Sequence, residues 1–193
     1  MAKNTRSLVL TSVFIALIIV MTVIPYTGYI NYGAVEITTL HLVVILGAVC
    51  LGWKAGTLLG FVWGFTCVLR AFTNPAWILF TNPLISVLPR IFVGMVAGLV
   101  FLWARRHMKD LIAVAVAGAA ATLTNTVLVL SAMYVFGGMI ESYRAFFELF
   151  KTILSTLIAV NGTIELAAAI IVVPIIYHAL QAAAVVPNQD GAK

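Results

Sequence analysis

Arg90 and Glu165 are charged residues placed where an apolar chain least tolerates charge. Arg90 interrupts the apolar run from Pro83 to Ala104, and Glu165 lies inside the last run with Asn161 one turn before it on the same helical face. An intramembrane charge costs about 2.5–3.5 kcal/mol on insertion scales, so each should face the bundle interior and find a partner. Counted from Ala104 and Leu180, both stand roughly 21–23 Å up their helices at about 1.5 Å per residue. They are therefore expected to meet as an ion pair if helices four and six are neighbours, either to fix helix register or to contact a ligand. Helix five offers Asn125 with Thr122, Thr124, Thr126 and Ser131 in an Ala, Val and Leu background. That set suits a wall that hydrogen-bonds a polar solute, although interhelical contact is the commoner fate of Ser and Thr. His41 reads as a proton relay or as a hydrogen-bonded packing residue. Tyr26, Tyr29, Asn31 and Tyr32 in the first loop, and Trp77 further on, suit either contact with a ligand or an interfacial aromatic belt.

Other chemistries lack their residues. The chain has no HExxH, no phosphate-cradling GxxxxGK followed by Ser or Thr, and no Gly-x-Ser-x-Gly elbow, so no catalytic residue is assigned and no ATP hydrolysis is expected. Cys50 and Cys67 sit in apolar runs without metal-ligand spacing, so no metal site or cofactor is expected. The formal charge of +5 comes from cations at the ends of apolar runs, not from a basic cluster interleaved with aromatics, which excludes a nucleic-acid partner.

The elements that must position these residues are membrane helices. Of the 193 residues 63% are hydrophobic and 9% charged, against roughly 25% charged in soluble domains. The mean hydropathy of +1.14 assigns the surface to lipid. Spans are expected over about residues 8–24, 35–51, 55–71, 83–104, 111–136 and 151–180. Gly52-Trp53-Lys54 makes a tight turn, Thr73-Asn74-Pro75 breaks the chain before Asn82-Pro83 restarts it, Gly137-Gly138 ends helix five, and Pro174 kinks helix six. Lys3 and Arg6 imitate a signal peptide, but the apolar stretch behind them exceeds the usual core of about 7–15 residues, so helix one is read as an uncleaved span. Cytoplasmic termini put Lys3, Arg6, Lys54, Arg105, Arg106, Lys109 and Lys193 inside, against Arg70, Arg144 and Lys151 outside, as the positive-inside rule favours. The expected fold is thus an all-α integral membrane protein, one transmembrane domain of six helices with cytoplasmic N- and C-termini. Any energising domain is expected on another chain. Small residues repeat every four positions at Gly56, Gly60 and Gly64, at Gly94 and Gly98, and at Ser12 and Ala16, which lets helices approach closely.

The ordered set of local motifs also resembles a known family. Leu40-His41-Leu42-Val43-Val44-Ile45-Leu46-Gly47, then Leu51-Gly52-Trp53-Lys54-Ala55-Gly56 with Gly60-Phe61 and Gly64, are similar to the substrate-binding S components of energy-coupling factor (ECF) vitamin transporters. Leu88-Pro89-Arg90 with Gly94 and Gly98, Asn125-Thr126-Val127-Leu128-Val129-Leu130, and Asn161-Gly162-x-x-Glu165 ending at Pro174 extend the likeness over most of the chain. The resemblance implies a six-helix subunit of a prokaryotic plasma membrane that captures a water-soluble vitamin from outside. It also implies partnership with a T component and two ATPases, the T component meeting an Ala-xxx-Ala face of helix one where this chain carries Ser12 and Ala16. The implied pocket lies towards the outer side, built by the first loop and helices four to six, with Tyr29, Asn31, Trp77, Arg90, Asn125, Asn161 and Glu165 as substrate-binding candidates. Gly33-Ala34-Val35-Glu36-Ile37-Thr38-Thr39-Leu40-His41 looks most like pantothenate-type members, and outward cations would suit a carboxylate. Riboflavin and other vitamins or precursors stay open. A proton-coupled secondary transporter using Arg90, Glu165 and His41 is the competing class, opposed by the lack of an internal repeat.

Overall fold

The computed structural model describes residues 2–32, 35–139, 141–144, 147–148, 151–152, 157–183 and 185. Among them are six α-helices and one antiparallel hairpin. Helix α1 (Ala2–Val23) leads into strands β1 (Tyr29–Tyr32) and β2 (Val35–Thr38), followed by α2 (Leu40–Leu51) and α3 (Trp53–Ala71). A 3-10 segment, Pro75–Thr81, kinks at Trp77. Then come α4 (Pro83–Ala104) and α5 (Asp110–Met139), and a π-helical turn (Leu157–Gly162) runs into α6 (Thr163–Ala182). Four helices are long and apolar enough to cross a membrane: Thr5–Val23 within α1, α4, α5 and α6.

Helix two begins later than the sequence suggests. Val35-Glu36-Ile37-Thr38 is a strand, in register Tyr29↔Thr38, Ile30↔Ile37 and Asn31↔Glu36. Three β-branched residues in four favour the extended backbone, and pairing with β1 supplies the hydrogen bonds that a helical turn would have made. The remaining 12-residue α2 is about 18 Å long, short of the roughly 30 Å hydrocarbon core. The hairpin fills the difference at that end of the bundle. Helix five departs the other way, since it runs through Gly137-Gly138 to Met139. A Cβ on Gly137 would meet the Phe147 ring, so the pair seats an aromatic residue where it was expected to stop the helix.

The glycine stripes bring α3 and α4 into backbone contact. A Cβ on Gly60 would collide with the Arg90 carbonyl, one on Gly94 with the Gly56 carbonyl, and one on Gly98 with the Trp53 backbone. Helix α4 starts where expected because Asn82 caps it, its Oδ1 accepting from the Leu84 N–H at 2.9 Å with Pro83 in the first turn. The main core runs between α2, α3, α4, α5 and α6 through Ile45, Leu59, Trp63, Val93, Phe101, Ala117 and Tyr177. A smaller cluster of Leu79, Ile85, Val129 and Met133 packs beneath the Pro75–Thr81 segment.

Candidate binding site

The hairpin is fastened across one end of the bundle by polar bonds from three directions. Glu36 on β2 takes both prongs of Arg70, at the last turn of α3: Nη1 donates to Oε2 at 2.7 Å and Nη2 to Oε1 at 2.5 Å. The faces of the same guanidinium are covered by the rings of Tyr29 at 3.9 Å and Trp77 at 3.7 Å. Asn161, in the π-helical turn, donates from Nδ2 to the Glu36 carbonyl at 2.7 Å. Glu165, in the first turn of α6, accepts the Thr38 N–H at 2.8 Å. Tyr29 also reaches inward to the Cys67 sulfur at 3.0 Å, and burial holds its phenol well above its ordinary pKa, so the hydroxyl stays protonated.

Arg90 and Glu165 do not form the expected ion pair. No carboxylate lies within salt-bridge distance of Arg90 among the described residues, and its Nη1 donates to the Ile85 carbonyl at 2.7 Å. The sequence explains the substitute. Pro89 has no N–H to offer the carbonyl four residues earlier, which is that of Ile85, and the neighbouring guanidinium takes the vacant acceptor. The cation also faces Trp63 at 5.2 Å and Phe80 at 5.6 Å. Helices α2 and α5 each pack against both α4 and α6, and the hydrogen bonds of the two charged residues go to different backbone groups. Glu165 found its partner instead in a backbone N–H that a helical reading of residues 35–38 would have hidden.

Buried polar atoms without a hydrogen-bond partner in the protein occur on α2, α4, α5 and the π-helical turn: His41 Nδ1, Arg90 Nε, Thr122 Oγ1, Asn125 Oδ1 and Asn161 Oδ1. Arg90 and Asn125 are each 6% exposed and Thr122 and His41 each 1%. His41 turns Nε2 to the Glu165 carbonyl at 3.4 Å, which is the contact of a packing histidine on that side. Thr124 and Thr126 bond back to carbonyls four residues earlier and so satisfy themselves within α5, unlike Thr122. Buried donors and acceptors are rarely left unpaired, so each of these atoms is suited to a polar partner. Of the sequence candidates, Tyr29 and Trp77 are joined through Arg70 and not directly to Arg90. Asn31 is placed only by its backbone, opposite Glu36. Sequence reading passed over the Arg70–Glu36 bond and the role of Trp63, because residues 34 positions apart in unlike elements carry no periodic signal.

At the opposite face of the problem, Ser12 and Ala16 are exposed on α1, where Ser12 merely donates to the Leu8 carbonyl of its own helix. Residues 6–177 match the family described as "ECF transporter, substrate-specific component". The chain belongs to this family. It is thus a transporter subunit, not a catalytic enzyme, and a membrane protein. Two relatives are similar to this S component. The "Pantothenate transporter PanT" of Leuconostoc mesenteroides subsp. mesenteroides is 35% identical over 106 residues, 51% of this chain and 52% of that protein. The "Pantothenic acid transporter PanT" of Lactococcus lactis subsp. cremoris is 31% identical over 200 residues, 93% of this chain and 96% of that protein. The matched stretch thus spans about half the length of the first relative and nearly all of the second.

Proposed function

We propose that this S component captures pantothenate at the outer face of a prokaryotic plasma membrane and delivers it with a T component and two ATPases. The observation that carries the reading is Arg90, a buried cation that has a carbonyl and two aromatic neighbours but no carboxylate within salt-bridge distance among the described residues, and whose Nε is unpartnered. A buried guanidinium with this surplus suits an anionic solute, and pantothenate carries one carboxylate with hydroxyl and amide groups. Asn125, Thr122, Asn161 and His41 then meet the uncharged polar groups, and Tyr29, Asn31, Trp77 and Glu165 frame the entrance. The names of the two relatives support the same solute. The chain crosses the membrane six times with both termini in the cytoplasm, which puts the hairpin outside. The bond from Arg6 Nη2 to the Val185 carbonyl at 2.9 Å supports termini on one side, and the cation asymmetry supports which side. Isothermal titration of the purified chain with pantothenate and riboflavin is the direct test. Binding of pantothenate, weakened about 30-fold or more in Arg90→Gln, is expected. Binding of riboflavin alone would replace the solute, and external labelling of a cysteine at Asn188 in intact cells would refute the topology.

A further inference from the structure

We propose that Arg70 and Glu36 form an entry station for the solute's carboxylate, in which Glu36 holds the place on Arg70 that the incoming carboxylate takes, so that exchanging one carboxylate for another selects an acid and releases β2. The proposal rests on the reading of an acidic solute given above and adds a specificity step that precedes Arg90.

Three observations converge. The guanidinium of Arg70 has both faces covered, by Tyr29 and Trp77, and its two-pronged edge filled by Glu36. It is therefore shaped as a receptor for one carboxylate, approached edge-on. Next, the Arg70 and Glu36 side chains are 19% and 22% exposed, whereas Arg90 is 6% exposed, so an anion coming from the hairpin end meets Arg70 before Arg90. Finally, β2 keeps other tethers, from Asn161 to the Glu36 carbonyl, from the Thr38 N–H to Glu165 and from the Thr38 hydroxyl to the Gly28 carbonyl, besides its pairing with β1. Losing the carboxylate pair loosens the strand without dismantling its seat.

Selectivity follows from what each kind of solute leaves behind. An acid replaces Glu36 like for like, and the released carboxylate, already partly exposed, moves into water. An uncharged analogue that displaces Glu36 leaves a guanidinium half-buried without its anion, which is costly. Discrimination against neutral analogues therefore appears in the association rate, whereas Arg90 sets it in the residence time.

The test is stopped-flow tryptophan fluorescence of the purified full chain with pantothenate and its alcohol analogue pantothenol. The parent should associate about ten-fold faster or more with the acid; Arg70→Gln, which removes the receptor, should close that ratio, whereas Glu36→Gln, which vacates it, should speed both compounds. An unchanged ratio in an Arg70→Gln protein that melts like the parent would overturn the station. If the parent binds neither compound, the pantothenate reading fails separately, and hydrogen exchange decides the station with propionate as the probe. Propionate, but not equimolar chloride, should speed exchange of the β2 amides several-fold in the parent and not in Arg70→Gln. Equal exchange with the two salts would overturn it.

Discussion

Pro89 and Arg90 work as a unit: the proline removes an N–H, the Ile85 carbonyl is left without its helical donor, and the guanidinium folds back to serve it. The two odd charges stood out in the sequence, because apolar surroundings make any charge conspicuous. Their partners did not, since both are backbone groups whose availability depends on a proline and on a strand. This difference is measurable. If Arg90 and Glu165 neutralised one another, the double variant would recover stability lost in each single one. With separate hydrogen-bond partners, Arg90→Gln and Glu165→Gln should instead show only the modest coupling of a through-space attraction, about 1 kcal/mol or less in denaturant or thermal unfolding. Glu165→Ala is expected to cost about 1–3 kcal/mol because it strands the Thr38 N–H, whereas Glu165→Gln retains an oxygen for that donor and should cost much less. Coupling of several kcal/mol would restore the ion-pair description.

Helices were legible where the apolar run was bounded by a cap or a break. Asn82-Pro83 and the end of α4 at Ala104 fall as expected, while the hairpin was missed for a physical reason. Val35–Thr38 is too short to display an alternating period, and its apolar residues merge with those of α2. Glycine pairs were ambiguous for a different reason, since Gly137-Gly138 can end a helix or admit a ring, and only Phe147, ten residues on, decides between them. The stripes of α3 and α4 carried a clearer meaning, and they lead to an element-scale expectation. Leucine at Gly94 would drive its side chain into the Gly56 carbonyl, and neither backbone can retreat without separating the helices that hold Arg90 between Gly60 and Trp63. Gly94→Leu should therefore lower the melting temperature by on the order of 10 °C, and pantothenate affinity should fall with it. Gly52→Ala, at φ 96 and ψ 167 with no atom near its added Cβ, should cost only the strain of a side chain in a backbone region that glycine alone readily adopts, about 1–3 kcal/mol. Equal losses in the two variants would mean that close approach is not what the α3–α4 stripe provides.

At the scale of the whole molecule, the least integrated element is α1. Among its described side chains only Phe14 and Ile18 are buried, while Leu8, Val9, Val13, Leu17, Ile19, Val20 and Val23 are exposed. Its polar attachments lie at its two ends: at the hairpin end Thr22 meets Thr66 at 3.3 Å and Thr27 donates to the Met21 and Ile24 carbonyls, and at the other Arg6 donates to the Val185 carbonyl at 2.9 Å. Ser12 and Ala16 lie in the middle of the helix on exposed positions, so they contribute little to the fold that holds the site. A small-residue stripe turned away from its own bundle suits the close approach of another helix, and the T component is the partner that family membership implies. Tryptophan at Ala16 would hold that partner several ångströms away without touching the polar cluster on α2, α4, α5 and α6. Ala16→Trp is accordingly expected to keep pantothenate affinity within about two-fold of the parent and to lose most co-purification with the T component and ATPases, since interface centres tolerate bulk poorly. Both quantities can be read from one membrane preparation, by titration of the isolated chain and by pull-down of the coexpressed complex. Full assembly with Ala16→Trp would move the partner surface off this face, and a loss of solute binding with intact assembly would mean that α1 serves the pocket instead.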